Sequence, residues 1–316
     1  MLESFGLLLL GLLLLALGGD SIVKGAAGLA QRVGASPFVA GLVVVAFGTS
    51  IPELAVNARA LWVGQPALAL GNAVGSNVAN IGLTFALAAI AAPFAVRWRA
   101  LSPLLLCLLG GTVLAIVLSL DGLLSRLDGL LLLAAFVVAI VVSFARCRDP
   151  DPAVRDELAG HARTSTNATQ NLLRIAVAIG LLYFGARYVV TGALPFADAL
   201  GFEPLLAGLL IVAIGTALPE AAAAVMAARR GQGDIVAGHV IGASLFNLLV
   251  VLGGMAAWRG IDVPASFLRL EWPAALAFAL MLLPVLRGDF RISRGEGVLL
   301  FAAFLAWLVL ELAIST

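Results

Sequence analysis

Charge is what this sequence has least of. Only 12% of its 316 residues are Asp, Glu, Lys or Arg, 62% are hydrophobic, and the mean hydropathy is +1.10. Soluble domains carry about 25% charged and about 45–50% apolar residues, so a water-soluble globular fold is excluded. The net charge of +1 leaves no basic cluster interleaved with aromatics, and nucleic acid is not an expected partner. Cysteine is nearly absent. Cys107 and Cys147 have no metal-type spacing and make no disulfide framework, so they read as packing residues. The two histidines, His161 in a polar loop and His239 near a helix start, supply no H-E-x-x-H motif and no mid-span partner for a nucleophile. The chain is therefore expected to be no enzyme and to need no cofactor. A cleavable leader is not expected either. "MLESFGLLLLGLLLLALGGD" has Glu3 where a basic region belongs and no small-x-small site before Asp20, so it reads as a first span.

What the sequence does have is long apolar runs. A helical span needs about 20 such residues, and about ten segments qualify, giving an all-α membrane protein. They are 5–30, 37–63, 67–92, 102–120, 127–145, 172–194, 204–228, 235–258, a short 272–286, and 295–314. The longest polar stretch, Arg146 to Asn171, reads as a surface linker. The expected division is a five-helix unit over 1–147, a linker loop over 148–170 and a second five-helix unit over 171–316. Arg97, Arg99, Arg146, Arg148, Arg155, Arg163, Arg229, Arg230, Arg287, Arg291 and Arg294 fall in loops on one side, against Arg59, Arg126, Arg259 and Arg269 on the other. The richer side, with the central loop, is expected to be cytoplasmic and both termini outside.

The chain repeats itself. "GASPFVAGLVVVAFGTSIPE" (34–53) matches "GFEPLLAGLLIVAIGTALPE" (201–220), and "GNAVGSNVAN" (71–80) matches "GHVIGASLFN" (238–247). The offset is constant: 220 − 53 = 167 and 247 − 80 = 167. Each half holds an odd number of spans, so the halves should be inverted in the membrane, an arrangement that puts transporter sites near the midplane where repeats meet.

The polar residues inside these spans repeat as well. A buried carboxylate costs at least about 2.5 kcal/mol and is a functional hypothesis by default. Glu53 and Glu220 sit about halfway along their spans with no basic residue nearby on their own helix. Each follows a proline. Pro52 and Pro219 cannot donate to the carbonyls of Gly48 and Gly215, and these four positions are expected to break the helices. A carboxylate, hydroxyls and freed carbonyls together form a hard-oxygen set suited to Ca²⁺ or a similar cation. Ser76 and Asn80 share one helix face at i, i+4, with Ala243 and Asn247 as counterparts. Gly71, Gly75, Gly238 and Gly242 have the small-xxx-small spacing of close helix packing. Asp20 and Lys24, with Arg187 as the counterpart of Asp20, read as an ion-pair or gating set at a helix end.

The doubled G-T-x-x-P-E, with its following glycine- and asparagine-bearing segments, resembles the paired motifs of the calcium/cation antiporter superfamily, nearest to the bacterial and archaeal sodium/calcium exchangers. The resemblance covers both halves. It implies a prokaryotic inner-membrane location and ten helices in two inverted five-helix repeats. The second, third, seventh and eighth helices would line the ions, with the first and sixth as a sliding gate. It further implies Ca²⁺ held by Glu53, Glu220, Thr49 and Thr216. Na⁺ would use the same carboxylates with Ser50, Ser76, Asn80, Asn247 and the carbonyls of Ala46 and Ala213. Family members often have serine at the positions of Ala217 and Ala243 and aspartate at that of Asn247. The expected activity is exchange of Ca²⁺ for Na⁺ by alternating access. Inorganic cations and the bilayer are the expected partners, with no protein partner indicated. H⁺ in place of Na⁺ on the same fold, or a passive cation channel, are the alternatives.

Overall fold

The computed structural model describes residues 1–34, 50–146, 164–287 and 291–315. Among them, nine helices are long and apolar enough to cross a membrane. Helix α1 is Leu2–Arg32, and α2, described over Ile51–Trp62, is the part of the expected second span that falls within the described residues. Helix α3 is Pro66–Ala91, α4 Trp98–Leu118 and α5 Arg126–Arg146. Then come α6 (Ala168–Asp198), α7 (Pro204–Arg229) and α8 (Gly233–Trp258). A short helix, Ala265–Arg269, leads into α9 (Glu271–Arg287), and α10 is Arg294–Ser315. The expected short ninth span is thereby lengthened to Ala265–Leu286. The sixth begins earlier than its apolar run, because the Asn167 side chain accepts from Gln170 N at 3.1 Å and caps α6 there.

The sequence offset is written into the backbone. From α3 to α8 the bounds shift by 233 − 66 = 167 and 258 − 91 = 167. Glycines with positive φ end α2 at Gly64 (φ 76°) and α7 at Gly231 (φ 74°), again 167 apart. Only glycine takes this left-handed helix-ending conformation without steric cost. Two short strand pairs tie the halves together. β1 (Phe94–Ala95) pairs antiparallel with β4 (Arg291–Ile292), and β2 (Leu123–Leu124) with β3 (Ile261–Asp262). Beyond β2 the offset becomes 291 − 123 = 168. The Ser125–Asp128 box that starts α5 returns as Ser293–Glu296 before α10.

Burial sorts the helices into layers. The apolar window of α3 is 89% buried and that of α8 83%, against 28% for α1 and 17% for α5. Helices α3 and α8 are therefore central, with lipid left to the outer helices. Helices α1 and α6 lie along each other and run antiparallel. Positions near Gly11 meet Gly185 and Val189, those near Gly18 meet Leu181 and Leu182, and those near Gly25 meet Arg174 and Ile175. The contact depends on missing side chains, since between lipid-embedded helices it is packing rather than the hydrophobic effect that holds surfaces together. A Cβ on Gly11 would stand 2.6 Å from Val189 N and 2.8 Å from Gly185 O. Gly11→Val should cost about 1–3 kcal/mol and lower the thermal midpoint in detergent. Gly6→Val should leave the midpoint unchanged, because nothing lies within 4 Å of its Cβ position. Size-exclusion chromatography after heating measures both.

Candidate functional site

Glu53 and Glu220 enter the buried core from α2 and α7, and are 2% and 6% exposed. Glu53 lies two residues past the first described helical position of α2. Pro52 precedes it, and Gly48, whose carbonyl its missing N–H would have met, lies outside the described residues. The second half corrects the expected break at Gly215 and Pro219. Helical backbone continues from Ala213 through Arg229, with Pro219 inside it. The departure from α geometry comes earlier, in a π-helical segment at Ala207–Val212. Local π adjustments and neighbouring helices let a transmembrane helix carry a proline without breaking. Gly48, Thr49 and Ala46 lie outside the described residues.

The two halves meet at Thr216. Its hydroxyl donates to Ala213 O at 3.2 Å and stands within hydrogen-bonding reach of the Glu53 carboxylate. Ser50 crosses in the other direction, its Oγ donating to Ala243 O at 3.4 Å. Ser76 and Asn80 are 1% and 2% exposed and Asn247 is 1% exposed, so every described polar residue of the expected set is buried. Within the described residues Glu53 Oε2, Asn80 Nδ2 and both side-chain polar atoms of Asn247 have no hydrogen-bond partner. Buried polar atoms are normally satisfied, so such a concentration calls for an explanation by a ligand or by water. Among the described residues no three His, Cys, Asp or Glu side chains group to hold a metal.

A polar chain escaped the sequence reading. Asn72 Nδ2 donates to Asn57 Oδ1 at 2.9 Å, and Ser76 Oγ donates to Asn72 Oδ1 at 3.4 Å. All three residues are at most 1% exposed. Asn57 follows Glu53 at i+4 and Ser76 follows Asn72 at i+4, a helical-face signal that could have found them. The second half has no equivalent chain. Its counterparts are Ala224, His239 and Ala243, and His239 Nε2 lies 3.8 Å from Glu220 Oε2 instead.

Two backbone features frame the site. Asn80 and Asn247 each open a π-helical segment, Asn80–Phe85 in α3 and Asn247–Leu252 in α8, and such turns are frequent at functional sites. Against the outer side of the site lies α1. A Cβ on Gly19 would stand 3.0 Å from Pro52 Cγ, and one on Gly215 would stand 2.8 Å from Leu12 Cδ1. Helix α1 thus packs closely on α2 beside Glu53 and on α7 at Gly215. The expected Asp20–Lys24 pair forms at 2.8 Å, but its side chains are over half exposed and it joins neither glutamate.

The chain resembles known proteins over nearly its whole length. The family model described as sodium/calcium exchanger protein matches the chain twice, over residues 3–145 and 171–313. The chain is 35% identical over 316 residues to the inner membrane protein YrbG of Escherichia coli (strain K12), covering 98% of this chain and 97% of that one. It is 30% identical over 346 residues to the sodium/calcium exchanger MaX1 of Methanosarcina acetivorans, covering 97% of each. Its fold superposes on the sodium-calcium exchanger NCX_Mj with a TM-score of 0.66 at 28% identity, covering 97% of this chain and 98% of that one. With its duplicated motif and buried glutamates, the chain is an integral membrane protein that belongs to the sodium/calcium exchanger family, a family of cation antiporters and not of enzymes.

Proposed function

We propose that this protein exchanges Ca²⁺ for Na⁺ across the membrane by alternating access, with the ions bound between Glu53 and Glu220. One observation carries the reading: Thr216 of the second half stands at the Glu53 carboxylate of the first, inside a core with partnerless polar atoms. Ca²⁺ takes 6–8 oxygen ligands. Glu53, Glu220, Thr49 and Thr216 supply the charged and hydroxyl part of that shell. Na⁺ uses the same carboxylates with Ser50, Ser76, Asn80, Asn247 and the carbonyls of Ala46 and Ala213. The hydroxyls of Ser50 and Ser76 already donate their protons to Ala243 O and Asn72 Oδ1, which leaves their lone pairs for a cation.

Residues 1–147 and 171–316 act as two inverted halves, joined by a cytoplasmic linker over 148–170, with both termini outside an inner membrane. The arginine distribution supports that orientation, and the antiparallel contact of α1 with α6 supports the inversion. Two carboxylates neutralise one Ca²⁺ or two monovalent ions. Either load removes net charge from the core and allows α1 and α6 to slide past it, whereas an empty, doubly charged site resists the movement.

A second reading replaces Na⁺ with H⁺. It is favoured by the ionisable ring of His239 at 3.8 Å from Glu220, and by alanine at 217 and 243 where hydroxyls would serve Na⁺. Radioactive Ca²⁺ uptake into proteoliposomes separates the two. We expect uptake to follow an imposed Na⁺ gradient. Uptake that follows a pH gradient and ignores Na⁺ would overturn the first reading, and current carried by one ion alone would indicate a channel.

Glu53→Gln and Glu220→Gln should each reduce exchange by about ten- to a hundredfold, the worth of one charge-assisted contact. Retained transport in the double variant would exclude a site between these residues. Ala217→Ser with Ala243→Ser should lower the Na⁺ concentration for half-maximal exchange by about threefold to tenfold, as expected for added hydroxyl ligands.

A further inference from the structure

One end of the bundle holds a cleft lined by none of the expected ion ligands. Three segments remote in sequence form it: Leu61 and Trp62 from the last turn of α2, Arg126 from the start of α5, and Trp258 with Arg259 from the end of α8. Its volume is about 320 Å³. Leu61 is its buried apolar wall, and the indoles of Trp62 and Trp258 stand 6.1 Å apart between centroids. Arg126 and Arg259 are exposed, and within the described residues neither side chain makes a hydrogen bond or ion pair. The acids closest to Arg126 in sequence are engaged elsewhere. Asp128 accepts from Ser125 N at 2.8 Å and from Ser125 Oγ at 2.6 Å, and Asp121 accepts from Leu123 N at 3.1 Å. One turn before Trp62, Arg59 adds a further guanidinium whose buried Nε has no partner. All of this sits where spans end: Arg126 is the first residue of its span and Trp258 the last of its own.

An interfacial tryptophan belt explains indoles at this depth. It does not explain two uncompensated guanidiniums from different helices converging on one concavity. We propose that this cleft binds the phosphate of an anionic phospholipid from the leaflet at this end, with Arg126 and Arg259 on the phosphate oxygens and the glycerol backbone against Trp62 and Trp258. A guanidinium's planar fork matches phosphate oxygens, and by the arginine distribution this end of the bundle meets the outer leaflet. The bilayer also presents its lipids at an effective concentration that a dilute free anion lacks. The bound lipid ties the end of α2, which carries Glu53, to α5 and α8. This inference does not rest on the choice of coupling ion.

The test is tryptophan quenching in reconstituted full-length protein. Vesicles contain either phosphatidylglycerol with brominated chains in plain phosphatidylcholine, or brominated phosphatidylcholine in plain phosphatidylglycerol, at equal bromine content. Subtracting the signal of a Trp62→Phe, Trp258→Phe variant isolates the cleft indoles. Brominated phosphatidylglycerol should quench them more strongly, and Arg126→Gln with Arg259→Gln should reduce its apparent affinity by about tenfold or more. Arg126→Lys with Arg259→Lys keeps the charge and should retain part of the preference, which separates loss of binding from loss of fold. Equal quenching by the two lipids, a preference that survives the glutamine variant, or its removal by inorganic phosphate at millimolar concentration would each overturn the proposal.

Discussion

Everything in this fold answers to one cost, the burial of two carboxylates in a core that lipid surrounds. Glu53 and Glu220 are almost without solvent access, and an ionised carboxylate without compensation is not stable there. The surroundings reduce that cost in small steps. The Thr216 hydroxyl of the opposite half lies near Glu53, and Asn80 and Asn247 carry amides in the two most buried helices that still lack partners. The compensation is incomplete, and the remaining partnerless atoms suit a cation as cargo better than a permanently sealed core.

The same demand explains the glycines. To bring two oxygen-bearing helices together, α3 and α7 must approach at backbone distance. A Cβ on Gly75 would stand 2.6 Å from Leu209 O. Helix α1 meets the site helices through Gly19 on Pro52 and Leu12 on Gly215. Close packing in the core and at its edge comes from the same residue type.

Duplication gave the halves one frame, and substitution has since made them unequal. The first half links Asn57, Asn72 and Ser76 in a polar chain. The second has alanine at two of those three positions and histidine at the third. His239 Nε2 lies 3.8 Å from Glu220 Oε2. The carbonyl of Ala243 in turn receives the hydroxyl of Ser50 from the other half. The asymmetry is thus partly repaired across the interface, and chemistry that differs at the two glutamates is built into the site.

The sequence by itself determined the spans, the internal register and the two glutamates. Bilayer thickness makes each span a run of apolar residues long enough to count, and a fixed offset of 167 survives as identity at glycine, proline and glutamate. The helix starts moved with capping residues such as Asn167, whose effect is local but outside the apolar run. Only the tertiary structure decided what crosses between halves. Thr216 at Glu53, Ser50 at Ala243 and His239 near Glu220 depend on how helices pack, which no single-helix pattern encodes. The π-helical segments were hidden for the same reason, since composition does not distinguish an α turn from a π turn. The break expected at Pro219 does not occur, and the helix runs on from Ala213 to Arg229 with the proline inside it. The arginine–tryptophan cleft gathers Trp62, Arg126 and Trp258, residues separated by whole spans, and their proximity exists only in the folded chain.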